Sequence, residues 1–242
     1  MTVRSSEQRQ ITERHEEIFR CAAGLVLELG YNGFNIGRLA EAMELSRGAI
    51  YQHFSSKEDL LAEIGIRHLT KRLELIERGS MFKGAARERM VAVGVGLEIC
   101  MRLYPQESKV LEILRTYAAL DKASHDVQAR MRTCQCRILC ILLGVVRDAI
   151  AGDELAIPPH ATPESLCFGM WVLSIGGYGT LLGNLTLPDM GLDDVFRTVT
   201  RNCHLLADGY GWKPLSSECD YEAVEERVRQ SIFPAESRAV YG

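Results

Sequence analysis

The stretch from Asn35 to Phe54 constrains the fold of this chain most, because it has room for only two short helices joined by a tight turn. Asn35 is a suitable N-cap for the first helix, and Ser46 for a second that runs from Arg47 to about Phe54. The inner face of the first helix would be apolar: Ile36, Leu39, Ala40 and Met43. Ala40 is small where two helices must cross closely, and Ile50 would pack inward. The pattern predicts a helix-turn-helix.

The second of these helices leaves an outer face of small and hydrogen-bonding residues. They are Arg47, Gly48, Ala49, Tyr51, Gln52 and His53. A short, flat face of this kind suits an element that enters the major groove of DNA. A helical hairpin that only packs is the alternative, but packing alone does not require this order of residues through Ser56 and Lys57.

Apolar residues recur at helical spacing along the rest of the chain, and no strand-like alternation bounded by hairpin turns occurs. The sequence therefore predicts an all-α protein, with a small helical head followed by a larger helical bundle. Helices are expected at 11–29, 57–78, 85–104, 106–119, 121–151, 163–186, 193–210 and 218–231. We expect a DNA-binding domain at 1–60, an effector-binding and dimerisation domain at 61–215, and a C-terminal helix and tail at 216–242.

The charge balance excludes DNA binding through bulk positive charge. The 242 residues include 28 Lys and Arg against 32 Asp and Glu, a formal net charge of −4. Residues 1–60 contain 7 basic and 9 acidic side chains. Contact with DNA must then use a local group of cations on an acidic body. No phosphate-cradling glycine loop, paired catalytic carboxylates or activated nucleophile is visible, so we expect neither an enzyme nor a cofactor.

Two features bear on the cellular compartment. The eight cysteines are irregularly spaced within apolar helical patterns, which is typical of reduced, buried thiols in a cytoplasmic protein. The polar first ten residues show no secretory signal. Residues 165–188 contain no charged side chain, but five glycines and acidic flanks favour a helix buried in a dimer core over a membrane span.

The helix-turn-helix segment resembles the DNA-binding head of the TetR family of regulators. The matching residues are Leu39-Ala40, Leu45-Ser46, Gly48, Ile50-Tyr51, His53-Phe54, Ser56-Lys57-Glu58 and Leu60. The match spans about thirty residues, and the preceding helix that ends at Leu29-Gly30 also fits. Beyond about residue 65 the resemblance is one of length and helical pattern alone.

The resemblance implies a homodimeric repressor that binds a palindromic operator in double-stranded DNA and is released by a small effector. Ser46 and Arg47 would open the recognition helix, with Arg47 reading a guanine edge. Gly48 would allow close approach and Ala49 could touch a thymine methyl group. Tyr51, His53 and Lys57 resemble family positions that hold the phosphate backbone, and Arg38 could reach another phosphate.

The resemblance also implies an effector pocket and a dimer interface beyond residue 80. The predicted lining is apolar and aromatic, which favours a mainly hydrophobic effector: Leu97, Met101, Tyr104, Leu114, Tyr117, Trp171, Ile175 and Tyr178. Simple core packing of these side chains is the alternative. Helices 163–186 and 193–210 would form the dimer interface, where Gly179 and Gly183 permit close approach. Cys136 and Cys140 lie one helical turn apart, and a thiol- or metal-responsive regulator is the alternative function.

Overall fold

The computed structural model describes residues 3–182, 191–192 and 194–242, and every regular element within them is a helix. The all-α class predicted from the sequence is confirmed. The helices are α1 (Val3–Gly33), α2 (Ile36–Ala42), α3 (Arg47–Tyr51), α4 (Lys57–Ser80), α5 (Ala86–Leu103), α6 (Pro105–Thr116), a 3₁₀ turn (Ala119–Lys122), α7 (His125–Ala151), α8 (Pro163–Leu182), α9 (Val195–Gly209), α10 (Tyr221–Ser231) and α11 (Pro234–Tyr241).

The chain divides into two compact units. The first unit comprises Met1–Leu69 and Pro105–Thr133, and the second comprises Thr70–Tyr104 and Cys134–Gly242. Helices α4 and α7 each contribute residues to both units. The functional boundaries expected at residues 60 and 215 remain a prediction.

Helix α1 does not end at Gly30, where the sequence predicts a stop. Gly30 adopts a φ of 70°, which interrupts the helix, but the chain resumes helical geometry to Gly33. A glycine suits this conformation because it lacks the Cβ that makes positive φ costly. Several side chains of the first unit are almost fully buried: Ile18, Val26, Phe34, Leu39, Ile50 and Leu60. The core that supports α2 and α3 is therefore built from widely separated parts of the sequence.

The connection between α6 and α7 differs from the sequence prediction. Helix α6 ends at Thr116, Ala118 adopts a φ of 46°, and a 3₁₀ turn precedes α7. The backbone N–H of Ser124 donates to Asp59 Oδ1 at 2.6 Å. The Tyr117 ring stacks on Tyr31 with centroids 5.0 Å apart. These contacts explain why the helix breaks here although no glycine or proline marks the position.

The C-terminal segment contains one more helix than the sequence predicts. Helices α10 and α11 both pack on α5. The shared core cluster is apolar and includes Leu75, Val95, Ile99, Tyr221, Val228 and Phe233. Phe233 is fully buried directly before α11, and Arg78 of α4 pairs with Glu236 of α11. The segment that the sequence leaves as a tail is thus anchored to the second unit.

Arg87 fixes the loop between α9 and α10. Its guanidinium is 2% exposed, pairs with Asp208 at 2.7 Å and donates to the carbonyl oxygens of Trp212 and Pro214. The neighbouring His204 ring stacks on Tyr221 with centroids 4.5 Å apart. Burial, reinforced by the positive charge of Arg87, lowers the pKa of His204 to about 4.

Within the chain, the close approach of α8 and α9 depends on Gly177 and Gly169, whereas the role of Gly179 and Gly183 in a dimer interface remains a prediction. A Cβ at Gly177 would lie 2.2 Å from Val199 Cγ2, and one at Gly169 would lie 3.0 Å from Leu206 Cδ2. A Cβ at Gly179 would meet no atom of this chain within 4 Å. Gly183 lies outside the described residues. Within the described part of the chain, no helix has the length and hydropathy needed to span a membrane.

Candidate nucleic-acid interface

Helices α2 and α3 are held by the two caps that the sequence predicts. Asn35 Oδ1 accepts from the backbone N–H of Arg38 at 3.0 Å, and Ser46 Oγ accepts from that of Ala49 at 3.2 Å. Glu44 adopts a φ of 55° in the turn between the helices. The Ser46 hydroxyl therefore serves the fold by satisfying a backbone donor at the start of α3.

The outer face of α3 agrees with the sequence expectation. Arg47, Gly48 and His53 are exposed, and Tyr51 is 54% exposed, whereas Ile50 is fully buried and Phe54 nearly so. Ala49 is half-buried. A five-residue helix with a buried anchor on one side and exposed hydrogen-bonding groups on the other can present those groups to another macromolecule.

Gly48 has no packing role in the chain itself. A Cβ added there would meet only Ser46 Oγ, at 3.8 Å. The fold thus does not require glycine at this position, and its small size leaves the surface of α3 open for close approach from outside.

The two arginines of the surface lie in the first turns of α2 and α3. Arg38 Nη1 donates to the carbonyl oxygen of Gly33 at 3.1 Å. The guanidinium of Arg47 lies over Gly37, where an added Cβ would be 2.8 Å from Nη2. Both residues are exposed, so their guanidinium groups are accessible to an anionic or base-edge partner.

Lys57 contacts other parts of the protein, which its predicted role in phosphate binding does not require. Its Nζ donates to the carbonyl oxygens of Tyr31 at 3.0 Å and Phe34 at 3.3 Å. It also lies 4.1 Å from the Tyr31 ring centroid. Lys57 therefore satisfies the orphan carbonyls at the end of α1, a role that sequence spacing alone does not reveal. Its phosphate contact remains a prediction.

Tyr31 connects the end of α1 to the start of α4. Its hydroxyl donates to Glu58 Oε1 at 2.7 Å. Burial, followed by this hydrogen bond, raises the pKa of Tyr31 to about 12. The neutral phenol thus remains a donor at physiological pH and fixes the position of α4 beneath the exposed surface.

Comparisons with known proteins agree with this geometry. Residues 18–64 match the family described as bacterial regulatory proteins, tetR family. A transcriptional repressor, AcnR of Corynebacterium diphtheriae, is 32% identical over 72 residues. That alignment covers 30% of this chain and 38% of the repressor, so less than two thirds of the relative is matched. Residues 18–64 therefore carry the sequence pattern of this family.

Solved structures extend the likeness to the fold of most of the chain. A tetR-family regulatory protein from Rhodococcus RHA1 superposes with a TM-score of 0.67 at 16% identity, covering 82% of this chain and 97% of that one. AibR, solved with isovaleryl coenzyme A and operator DNA, gives a TM-score of 0.59 at 19% identity, covering 82% and 98%. The TetR family comprises transcription factors rather than enzymes.

The predicted effector residues fall in both units. Leu97, Met101 and Tyr178 share one cluster of the second unit with Val195 and Val199. Trp171 and Ile175 are half-buried on α8, and the Trp171 ring lies 5.9 Å from that of Phe168.

Three further predicted effector residues have identifiable neighbours. The Tyr104 ring lies 3.8 Å beneath Lys71 Nζ in the second unit. Leu114 and Tyr117 belong to the first unit. Leu114 is buried, and Tyr117 is 45% exposed against Tyr31. A shared effector pocket remains a prediction.

The alternative thiol site would be formed by two accessible cysteines. Cys136 and Cys140 are free and exposed on α7. Among the described residues, no three His, Cys, Asp or Glu side chains converge in a way that could hold a metal ion. A metal-responsive role gains no support from the structure.

The second unit contains a concave region that the sequence does not predict. This groove of about 1180 Å³ is bordered by α5, α9, α10 and α11. Its lining is rich in charged residues, among them Glu98, Arg102, Arg197, Glu222, Glu225 and Arg229. Arg197–Glu222 and Arg229–Glu225 are ion pairs at 2.9 and 2.7 Å. Its polarity does not suit the mainly apolar effector expected from the sequence.

Proposed function

We propose that this chain is a ligand-responsive transcriptional repressor that binds a palindromic operator as a homodimer. The observation that carries the proposal is the capped α3, whose exposed face bears Arg47, Gly48, Tyr51 and His53 on a buried Ile50 anchor. Two such helices in a twofold dimer would lie about one DNA turn apart, roughly 34–36 Å, and would read two half-sites of opposite orientation.

The proposed contacts with DNA are of two kinds, those to base edges and those to backbone phosphates. Arg47 reads a guanine, Ala49 contacts a thymine methyl group, and Gly48 lets the backbone approach the groove. Arg38, Ser46, Tyr51, His53 and Lys57 would fix the register on the backbone. Because the body is acidic overall, this small group of cations must supply most of the electrostatic attraction, and we expect weak nonspecific affinity.

A binding titration tests the proposal. Labelled DNA from directly upstream of the chain's own gene is compared with random DNA of equal length at two salt concentrations. We expect tight binding to the upstream DNA and a clear specificity ratio that persists at the higher salt. If neither this DNA nor any fragment selected from the whole genome is bound better than random DNA, the proposal is wrong.

We further propose that the effector has an apolar chain joined to an anionic group. The expected lining is apolar and aromatic, which suits the chain. Arg72 is 5% exposed and its Nη2 donates to Met101 Sδ at 3.5 Å, so a guanidinium lies buried beside an expected lining residue. The relative AibR was solved with isovaleryl coenzyme A. An acyl coenzyme A thus combines both features.

A ligand screen distinguishes the parts of this effector. Acyl coenzyme A esters of graded chain length, the free fatty acids and coenzyme A alone are added to the protein and to its operator complex. We expect an acyl ester to raise the melting temperature and release the operator, since a ligand that prefers the non-binding state shifts both equilibria. Equal responses to coenzyme A alone would contradict an apolar effector.

The dimer interface is proposed on α8 and α9, which pack on each other. Three large apolar side chains of these helices are strongly exposed in the single chain: Phe168 at 61%, Val172 at 44% and Leu205 at 63%. Exposed apolar surface on adjacent helices favours burial against a second copy.

A further inference from the structure

His15 of α1 contacts His53, which follows α3. His15 Nε2 lies 2.9 Å from His53 Nδ1, and the ring centroids are 4.7 Å apart at nearly perpendicular planes. His53 is exposed and His15 is half-buried. A hydrogen bond at this distance requires a proton on one of the two nitrogens and a lone pair on the other. The tautomer of His15 therefore decides which nitrogen of a neutral His53 carries the proton.

The surroundings of His15 disfavour its positive form. Its ring lies 6.0 Å from that of Phe19 and 5.6 Å from that of Phe54. Arg67 lies over the Phe19 ring and pairs with Glu16. Burial lowers the pKa of His15, and the positive charges of His53 and Arg67 add to this effect, while Glu16 opposes it. These surroundings thus favour the neutral form of His15.

We propose that His15 is a positioning residue of the DNA-binding surface, which donates its Nε2 proton to His53 Nδ1 and so keeps the His53 proton on Nε2. A neutral imidazole that accepts at Nδ1 must carry its proton on the other nitrogen. From Nε2 that proton can be donated to a DNA phosphate. The inference rests on the proposed function, because it gives His53 a phosphate partner.

A double-mutant cycle tests the positioning role. Operator dissociation constants are measured for His15→Phe, His53→Ala and the double variant at about pH 8. Phenylalanine preserves the ring between Phe19 and Phe54. We expect His15→Phe to weaken binding about three- to tenfold per head, the worth of one hydrogen bond. It should have no further effect when His53 is already alanine.

A conservative variant and a direct observation complete the test. His15→Gln can still donate to His53 Nδ1 and should restore most of the affinity. Nitrogen chemical shifts of the full-length wild type should place the neutral His53 proton on Nε2. An additive cycle, or a proton on Nδ1, would overturn the positioning role while operator binding stands. If the wild-type protein does not bind the operator better than random DNA, the proposed function and the positioning role of His15 are both wrong.

Discussion

At the residue scale, a substitution at Gly48 should affect folding stability and DNA binding in opposite directions. The chain leaves the space above this glycine nearly empty, so Gly48→Ala should raise the free energy of unfolding by about 0.5–1 kcal/mol through helix propensity alone. The same methyl group would stand between α3 and the DNA, and we expect operator binding to weaken by about 1–3 kcal/mol, the usual cost of overfilling a packed contact. Urea denaturation and an operator titration measure the two effects.

Gly24 provides the matched control for this substitution. It is an exposed glycine in α1, and an added Cβ would meet no atom of this chain within 4 Å. Gly24→Ala should give the same gain in stability and leave the operator dissociation constant unchanged. If Gly48→Ala binds the operator as tightly as Gly24→Ala does, α3 does not approach DNA closely at this point.

His204 makes the stability of the second unit depend on pH. Its folded pKa of about 4 lies below the usual value near 6.5, so the unfolded chain binds more protons between these values. Stability is complete above about pH 6.5 and should fall by about 1–3 kcal/mol as pH drops to about 4. His204→Phe keeps a ring against Tyr221 and should remove this part of the pH dependence. If chemical denaturation shows the same pH dependence of stability in His204→Phe as in the wild type, other titratable groups cause it.

Individual residues show what the sequence could and could not reveal. The caps Asn35 and Ser46 were predictable, because capping depends on neighbours within three residues. The role of Lys57 at the end of α1, and the contact of His15 with His53, were not. Both join residues that are more than twenty positions apart, and only the tertiary fold brings them together.

At the scale of elements, Gly177 sets the distance between α8 and α9. An alanine here would place its Cβ 2.2 Å from Val199 Cγ2, which forces the Val199 side chain or one of the two helices to move. We expect Gly177→Ala to lower the free energy of unfolding by about 1–3 kcal/mol despite its better helix propensity. Thermal or urea denaturation of the full chain provides the measurement.

Gly144 of α7 serves as the control for Gly177. It also lies within a helix, and its added Cβ would meet no atom of this chain within 4 Å. Gly144→Ala should therefore be neutral or stabilising. Equal stability of the two variants would show that α8 and α9 adjust freely at their crossing.

Helices with strong apolar periodicity were predictable, whereas their ends were less so. The expected helix at 57–78 corresponds to α4, and that at 163–186 to the described helix α8. The break between α6 and α7 was expected near residue 120, but α6 ends at Thr116 and α7 begins at His125, and contacts with Asp59 and Tyr31 decide these ends. Helix α11 was missed because it is short and depends on the buried Phe233 for its anchor.

At the scale of the whole molecule, the proposed dimer explains the exposed apolar residues of α8 and α9. Phe168→Asp and Leu205→Asp place charges on this surface without removing buried contacts. We expect each to shift the molecular mass from dimer to monomer in light scattering and to weaken operator binding, because two linked heads bind cooperatively. Met81→Asp changes an apolar residue with 75% exposure outside α8 and α9 and is the control. Dimers that survive both charge substitutions would place the interface elsewhere.

The DNA-binding head was more predictable from the sequence than the effector region. A DNA-reading helix requires a fixed order of caps, anchors and exposed donors over about twenty-five residues, which leaves a readable pattern. An apolar lining uses the same residue types as an ordinary core, so periodicity does not separate them. The structure places Leu114 and Tyr117 in one unit and the other six predicted effector residues in the other, which sequence spacing did not indicate.

The most direct test of the central claim, sequence-specific binding through α3, is the specificity ratio of an Arg47→Ala variant. The ratio is the dissociation constant on random DNA divided by that on the operator, with Arg38→Ala as the matched loss of one exposed cation. We predict that Arg47→Ala lowers the ratio by about 5- to 100-fold, the worth of one base contact, while Arg38→Ala weakens both DNAs equally. Equal losses on both DNAs for Arg47→Ala would contradict base reading by α3.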